Sequence, residues 1–349
     1  MVLNVDTNMG SYPIYIQRGL LDRVAQMIPL NDRRVCIVTD SGVPEQYVRK
    51  VADQCDASLI FCFQQGEKNK NFDALRKLLG DLLALNFDRK DAIVALGGGV
   101  VTDLAGFAAA TYMRGIDFYN IPTTLLSQVD ASVGGKTAVD LDGYKNMIGA
   151  FWQPKAVLID PLTLSTLPRR RISDGLAEVI KMSLTSDHAL FERIEASDLL
   201  PSNDGTTPPE MIDEIIADAL RIKIDVVEND EREAGLRRVL NFGHTIGHAI
   251  ESCSGLCDRY HGECIALGML PMCSEQVRDR LVPVLQRNGL PHALSSIPSD
   301  EQLLIALKHD KKATGTAINT VYVERVGSFE MQQHTPEQLI KLLRQTANK

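Results

Sequence analysis

A chain of 349 residues, 44% of them hydrophobic, can bury large cores; this excludes a fibre or a tail and, at about 100–200 residues per domain, leads one to expect two domains. A formal charge of −8 leaves no basic footprint for nucleic acid, so any anionic small ligand must be met by local clusters of Lys and Arg. The amino terminus lacks a basic segment followed by an apolar run, and no stretch reaches the roughly 18 apolar residues of a membrane span, so the chain reads as soluble, unprocessed and cytoplasmic.

Up to about residue 160, short β-branched runs alternate with amphipathic segments, the pattern of βαβ units around a mostly parallel sheet. The expected strands are Val35–Thr39, Ser58–Phe63, Ala92–Leu96, Asp117–Ile121 and Ala156–Ile159. Helical patterns with apolar residues three and four apart fall at Glu45–Asp53 and Phe72–Leu85. After the third strand comes Gly97-Gly98-Gly99 and then a helix-compatible run, Val100–Ala110. Glycines at such a turn let backbone amides approach a pyrophosphate at the positive end of a helix. The strict GxGxxG fingerprint is not met, because Thr102 stands where its last glycine belongs, and a glycine turn that merely packs a helix on the sheet is the plainer alternative. Gly134-Gly135-Lys136-Thr137 is not a Walker loop either: Asp130 occupies the position of the first Walker glycine, which disfavours ATP hydrolysis. It leaves Lys136 in a glycine turn near Asp130, a partner for a phosphate or carboxylate or else a solvated surface lysine.

From Pro161 onward helical periodicity takes over, at Ile172–Ile194, Pro209–Val227, Thr245–Ser252 and Glu263–Arg280. The expected fold is therefore an α/β amino-terminal domain with a mostly parallel, Rossmann-like sheet over 1–160, followed by a mainly α-helical domain over 161–349. Leu199–Pro209 reads as a loop between helices rather than a domain boundary, and one late strand pair, about Ala317–Val323 and Ser328–Met331, crosses Gly327. Seven cysteines without a CxxC pair imply reduced thiols. Cys253 and Cys257 share a helical face, but nothing nearby completes a four-ligand zinc set, so ordinary thiols are the better reading.

Of seven histidines, His244, His248 and His261 fall within 18 residues. His244 and His248 are four apart, on one face if helical, and such a trio suits a metal or catalytic site better than three separately satisfied core residues. Glu178 and Lys181 lie three apart among Leu176, Ala177, Val179, Ile180 and Met182. A surface ion pair would be worth little there, whereas a carboxylate ligand and an anion-positioning lysine would justify burial.

These features resemble the 3-dehydroquinate synthases, a family of sugar-phosphate cyclases. The shared motifs are Gly66-Glu67-Lys68-Asn69-Lys70, Gly97–Gly106, Tyr112-Met113-Arg114-Gly115, Pro122–Lys136, Lys145-Asn146, Gly175–Lys181, Gly235–Glu251, His261-Gly262-Glu263 and Asp310-Lys311-Lys312. The resemblance implies NAD and a divalent metal, Zn²⁺ or Co²⁺, with Glu178, His244 and His261 as the metal ligands. It makes His248 a substrate-contacting group tied to proton transfer, so the spacing argument counts one ligand too many. It implies NAD contacts at Asp40, Glu67, Lys70, Gly98, Gly99, Val100, Asp103, Thr123 and Thr124. Substrate contacts fall at Asp130, Lys136, Lys145, Asn146, Lys181, Lys223, Arg237, Asn241, His248 and one of Lys311 or Lys312; of these Lys136, Asn146, Lys181, Arg237 and His248 take catalytic roles. Arg114 resembles an arginine that reaches into the neighbouring subunit's site, which implies a homodimer. One departure is Asp40-Ser41-Gly42, where many relatives read Asp-Thr-Asn, and it bears on the adenosine side at residue 42.

The implied substrate, 3-deoxy-D-arabino-heptulosonate 7-phosphate, must lose phosphate from a carbon with no acidic neighbour. The implied path is transient oxidation by NAD, phosphate elimination, re-reduction, ring opening and intramolecular aldol closure, with no net redox change. A substrate with a carboxylate and a phosphate accounts for basic motifs in an acidic chain. The rival readings are sister cyclases making deoxyinososes or valiolones, which differ around Arg237, Asn241 and His248; a metal-dependent polyol dehydrogenase, which would accumulate NADH; and a silent scaffold that only binds NAD and metal.

Overall fold

The computed structural model describes residues 1–253, 259–293, 297–308, 313–314 and 317–347, which form two compact units. The first unit comprises Met1–Leu167 with Asn203–Ala217 and the second Pro168–Ser202 with Asp218–Lys349.

In the first unit the strands are β1 (Val2–Thr7), β2 (Gly10–Ile16), β3 (Arg34–Asp40), β4 (Ala57–Phe63), β5 (Ala92–Gly97), β6 (Asp117–Pro122), β7 (Lys136–Leu141), β8 (Tyr144–Phe151) and β9 (Ala156–Ile159). Its helices are α1 (Val24–Met27), α2 (Glu45–Ala52), α3 (Phe72–Ala84) and α4 (Gly99–Thr111). Seven strands form one sheet in the order β1-β2-β9-β6-β5-β3-β4, parallel except for the β1–β2 hairpin, while β7 and β8 make a separate antiparallel hairpin. The five expected strands are all present; the two hairpins are additions that the expectation lacked.

Alternation along the central strands explains the two-sided core. Ile93 and Ala95 of β5 pack with Leu75, Leu78 and Leu82 of α3 and Leu104 and Ala105 of α4. Val94 and Leu96 pack instead with Tyr47, Val48 and Val51 of α2. Because both faces are covered, β5 is a continuous apolar run, as parallel strands under two helical layers require. The chain leaves β3 for β4 on one side and returns to β5 on the other, so the carboxyl ends of β3 and β5 border a topological switch point, where such sheets bind ligands.

Asp160 anchors the end of β9: its buried carboxylate accepts from Gly19 N at 3.0 Å, Leu21 N at 3.1 Å and Leu162 N at 3.1 Å. Leaving a buried donor unsatisfied costs about 1–3 kcal/mol. Asp160→Ala is therefore expected to destabilise the protein by roughly 3 kcal/mol in urea unfolding; an unchanged midpoint would show these bonds to be dispensable.

The second unit contains α5 (Arg169–Ser186), α6 (His188–Glu195), most of α7 (Met211–Asn229), α8 (His244–Cys253), α9 (His261–Met269), α10 (Glu275–Arg287), α11 (Asp300–Lys308) and α12 (Pro336–Ala347). A three-stranded antiparallel sheet, β10 (Ala313–Thr314), β11 (Ala317–Tyr322) and β12 (Glu330–His334), adds one strand to the expected late pair. Two long helical patterns are broken in two. Asp187, in extended conformation, ends α5 and caps α6 by accepting from Leu190 N at 2.9 Å. The run Glu263–Arg280 breaks at a 3₁₀ turn containing Pro271, and Ser274 caps the new helix α10.

The loop over 199–209 does join helix to helix, yet it also carries the chain back into the first unit. The Arg18 guanidinium holds that return, donating to Pro208 O at 3.3 Å, Pro209 O at 3.1 Å and both oxygens of Asp213. No described helix is long and apolar enough to cross a membrane. The described cysteines are free thiols, with burial pushing Cys36 and Cys273 up to about 12, and Cys257 lies outside the described residues.

Candidate active site

In the second unit, glycines let three helices meet at backbone distance. A Cβ on Gly262 of α9 would stand 2.1 Å from Asp174 O of α5; one on Gly268 would stand 2.0 Å from Gly243 O, just ahead of α8. On α8 itself, a Cβ on Gly247 would stand 2.9 Å from Cys264 O of α9. With α9 gripped between α5 and α8, their inward side chains must converge. Glu178 comes from α5, His244 and His248 one turn apart from α8, and His261 from the first position of α9.

The three imidazole rings cluster with centroids 5.1 Å (His244–His248), 5.3 Å (His244–His261) and 5.5 Å (His248–His261) apart. Glu178 Oε1 lies 3.5 Å from His244 Nε2 and 3.4 Å from His261 Nε2. That oxygen is fully buried and receives no hydrogen bond. The opposite nitrogens are engaged elsewhere: His244 Nδ1 sits 3.1 Å from Phe242 O, and His261 Nδ1 sits 3.5 Å from Glu251 Oε2. A carbonyl or carboxylate at Nδ1 favours the tautomer whose Nε2 lone pair is free for a metal.

The arrangement fits a divalent ion. Ligand atoms about 2.0–2.1 Å from one ion at a tetrahedral angle stand roughly 3.3–3.4 Å apart, close to the two separations observed. Electrostatics agree: burial opposes charge on His261, but Glu178 and Glu251 push its pKa up, so the two carboxylates favour a cation at this place. Burial also works against an ionised Glu178, yet Lys181 and His261 hold its carboxyl below the usual range. Lys181 donates to Glu178 Oε2 and is itself buried, so a solvated surface pair is ruled out. Glu251 was not singled out in sequence, although three residues after His248 and seven after His244 it shares their helical face.

Arg237 and Asn241 occupy the 3₁₀ segment Leu236–Asn241 that leads into Gly243 and His244. Asp230 shapes that approach by accepting from Ala234 N, Gly235 N and Arg237 N. The buried Arg237 donates to Glu231 O at 2.6 Å, and Asn241 Nδ2 donates to Glu233 Oε1 at 2.8 Å. Lys223 is buried on α7. Lys311 and Lys312 lie outside the described residues.

In the first unit, Asp40 ends β3, Gly98 and Gly99 follow β5, and Thr123 and Thr124 follow β6, all at the carboxyl edge of adjacent strands. Gly98 is the N-cap of α4 and no side chain caps that end; Val101 N donates to Gly98 O, and the amides of Gly99 and Val100 ahead of it are those a bound anion would meet. The glycines also admit the next loop: a Cβ on Gly98 would stand 3.1 Å from Thr124 Cγ2, and one on Gly99 3.2 Å from Ala131 Cβ. Gly98, Gly99 and Val100 are partly exposed at this edge. The Gly42 departure has a local counterpart, since a Cβ there would stand 2.1 Å from Gln65 Oε1; the Gln65 side chain fills the space of the missing one.

Lys70 joins groups assigned to two ligands. Its buried ammonium meets Glu67 Oε1 at 2.7 Å, Asp103 Oδ2 at 3.1 Å and Asn146 Oδ1 at 2.7 Å, with Asp140 Oδ1 at 3.9 Å. Asp140, unmarked in sequence, accepts from Asn146 N at 2.9 Å and so supports its left-handed backbone (φ 54°). Asp130 stands in a π-helical turn, Ser127–Ala131, and Lys136 opens β7 after Gly134 (φ 95°) and Gly135 (φ 69°), with Lys145 beside Asn146 on β8. Met113 (φ 49°) and Arg114 (φ 70°) are exposed on left-handed backbone before Gly115.

Two family models cover the chain from 60 to 313, the 3-dehydroquinate synthase N-terminal model over 60–174 and the C-terminal model over 175–313. The 3-dehydroquinate synthase of Azotobacter vinelandii is 42% identical over 97% of this chain and 95% of its own length. A crystal structure of 2-deoxy-scyllo-inosose synthase with carbaglucose-6-phosphate, NAD⁺ and Co²⁺ superposes with a TM-score of 0.88 at 27% identity, covering 99% of this chain and 100% of that one. The 2-epi-5-epi-valiolone synthase of Streptomyces hygroscopicus, with NAD⁺ and Zn²⁺ bound, gives 0.86 at 25% identity over 97% of each. The sister cyclases share the fold at lower identity, whereas the full-length agreement at 42% is with the dehydroquinate branch. Sequence identity, both family models and a cluster of three imidazoles, two of them within 3.5 Å of Glu178, thus converge, and the chain belongs to the 3-dehydroquinate synthase family.

Proposed function

We propose that the chain converts 3-deoxy-D-arabino-heptulosonate 7-phosphate to 3-dehydroquinate and phosphate, with NAD along the carboxyl edge of β3, β5 and β6 and Zn²⁺ or Co²⁺ held by Glu178, His244 and His261. The observation that carries the reading is Glu178 Oε1, buried without a donor and within 3.5 Å of two imidazole nitrogens whose rings are oriented from behind. When bound, NAD⁺ supplies a hydride acceptor and the metal a Lewis acid for the neighbouring hydroxyl.

The chain's own groups supply the rest. Lys181 keeps Glu178 ionised, and Arg237 offers a planar fork for a carboxylate. Lys136, Lys145, Lys223 and one of Lys311 or Lys312 are point charges for the substrate's anions. Asp130, Asn146 and Asn241 orient hydroxyls, and His248, beside the two ligand rings, moves a proton.

The test is phosphate release from the heptulosonate phosphate, which is expected to require NAD, to stop on chelation and to leave no NADH behind. Accumulating NADH would favour a polyol dehydrogenase. Turnover only of a sugar phosphate that lacks the carboxylate would favour a sister cyclase.

Arg114 supports a homodimer in which each subunit completes its neighbour's site: it is exposed, on left-handed backbone, outside both clusters described above. Mixing inactive Arg114→Ala and Glu178→Gln chains is then expected to restore roughly a quarter of wild-type activity, because half of randomly paired dimers hold one intact site. No recovery on mixing would place Arg114 in its own subunit's site or in none.

A further inference from the structure

His261 is the first residue of α9, a position where a helix ordinarily frays, yet a ligand nitrogen must be held to a fraction of an ångström. The first two turns of α5 and the first turn of α9 grip each other on both sides of it. After His261, Gly262 N donates to the buried carboxylate Asp174 Oδ1 at 2.6 Å. Asp174 lies one helical turn before Glu178, so the same helix that presents the carboxylate ligand also fixes the peptide next to the histidine ligand. Arg170 forms a two-pronged pair with Glu263, Nε to Oε1 at 2.6 Å and Nη2 to Oε2 at 2.8 Å. Before His261, Tyr260 N donates to Glu263 Oε2 at 2.9 Å, and the Tyr260 ring meets both guanidinium groups, Arg170 at 4.3 Å and Arg171 at 3.8 Å from its centroid. Gly262 is what permits the contact, since any Cβ there would strike the Asp174 carbonyl.

We propose that Asp174, with the Arg170–Glu263 pair, is a positioning element of the metal centre, presetting His261 against Glu178 before the ion arrives. The proposal rests on the reading of Glu178, His244 and His261 as metal ligands. Neither Asp174 nor Arg170 need touch ion or substrate; they act through the backbone on either side of His261. Their loss lets the His261 ring leave the place that Glu178 Oε1 and His244 Nε2 define. Supporting groups of this kind change metal affinity by about 10–100-fold.

The experiment is titration of the metal-free, full-length protein with Co²⁺ alone, read by visible absorption, alongside thermal unfolding in chelator. Asp174→Ala is expected to weaken Co²⁺ binding by about 10–100-fold. Asp174→Asn, which keeps an acceptor for Gly262 N, is expected to stay within roughly threefold of wild type, a rescue that a general loss of packing would not give. If Asp174→Ala does not fold, Arg170→Ala, whose side chain is 51% exposed, decides instead, with weakening of roughly threefold or more supporting the proposal. Wild-type affinity in a folded Asp174→Ala, or in Arg170→Ala should that decide, overturns it, provided His261→Ala has lost the ion. Co²⁺ binding that survives His261→Ala, or is absent from the wild type, overturns the metal reading itself.

Discussion

Glu178→Gln is expected to lose the metal, and with it phosphate release, and at the same time to destabilise the protein by about 3–5 kcal/mol. Both effects follow from one buried carboxylate with two differently used oxygens. Oε1 faces the two Nε2 atoms, and Oε2 accepts from Lys181. A neutral amide at 178 leaves the Lys181 ammonium, 1% exposed, without its counter-charge, the situation in which breaking a buried pair is most costly. The two roles separate in the double variant Glu178→Gln/Lys181→Met. An apolar side chain of similar length removes the stranded charge, so most of the lost stability is expected to return in urea unfolding while Co²⁺ affinity stays low. A double variant as unstable as the single one would show that Glu178 is not balanced by Lys181. Retained Co²⁺ affinity in Glu178→Gln would remove it from the ligand set.

How much of this was legible beforehand depends on the range of the interactions involved. The β5–α4 turn is readable because an apolar run, three glycines and a helical pattern follow one another within twenty residues, and the strand ends at Gly97, one residue past the expected Leu96. His244 and His248 were readable because a helix places residues four apart on one face. The spacing could not say which imidazole faces a carboxylate some seventy residues earlier; that is decided by Gly262, Gly243 and Gly268, whose missing side chains set how closely α9 approaches α5 and α8. The breaks at Asp187 and Pro271 were hidden by apolar periodicity that continues through them, although a cap residue and a proline mark both. The β1–β2 hairpin is not legible in the sequence because Pro13 interrupts an otherwise alternating strand, a residue tolerated in this register opposite Asn4. The return of 203–217 to the first unit rests on buried Ile212, Ile215 and Ile216 and on the Arg18 guanidinium, which nothing in its sequence neighbourhood distinguishes.

Lys70→Met is expected to be nearly harmless to stability at acid pH and damaging above neutrality, because the carboxyls it faces are charged only at the higher pH. Burial acts against the Lys70 charge, but Asp103 and Glu67 more than offset it and push the ammonium's pKa up. Burial raises Asp103 from 3.8 to about 6 even with Lys70 pulling it down. Without the ammonium, Asp103, Glu67 and Asp140 face one another, and Asp103 rises further. A carboxyl whose folded pKa lies above its unfolded value holds more protons when folded, so its contribution to stability falls as pH climbs between the two values. For wild-type Asp103 that window runs from about 4 to about 6, and in the variant it extends beyond 6. Urea unfolding is therefore expected to give similar stabilities for the two proteins at about pH 4, and a gap of roughly 3 kcal/mol at pH 8. Activity should suffer independently of stability, because Asn146 Oδ1 loses the donor 2.7 Å away that links it to Glu67 and Asp103. A misplacement of about 1 Å at a substrate-orienting group costs on the order of 10²-fold, and a drop of that size in kcat/KM is expected for the folded fraction at pH 7. Stability curves that run parallel from pH 4 to 8 would show that Asp103 does not depend on Lys70, and the link between the cofactor edge and Asn146 would then have to run through Asp140 alone.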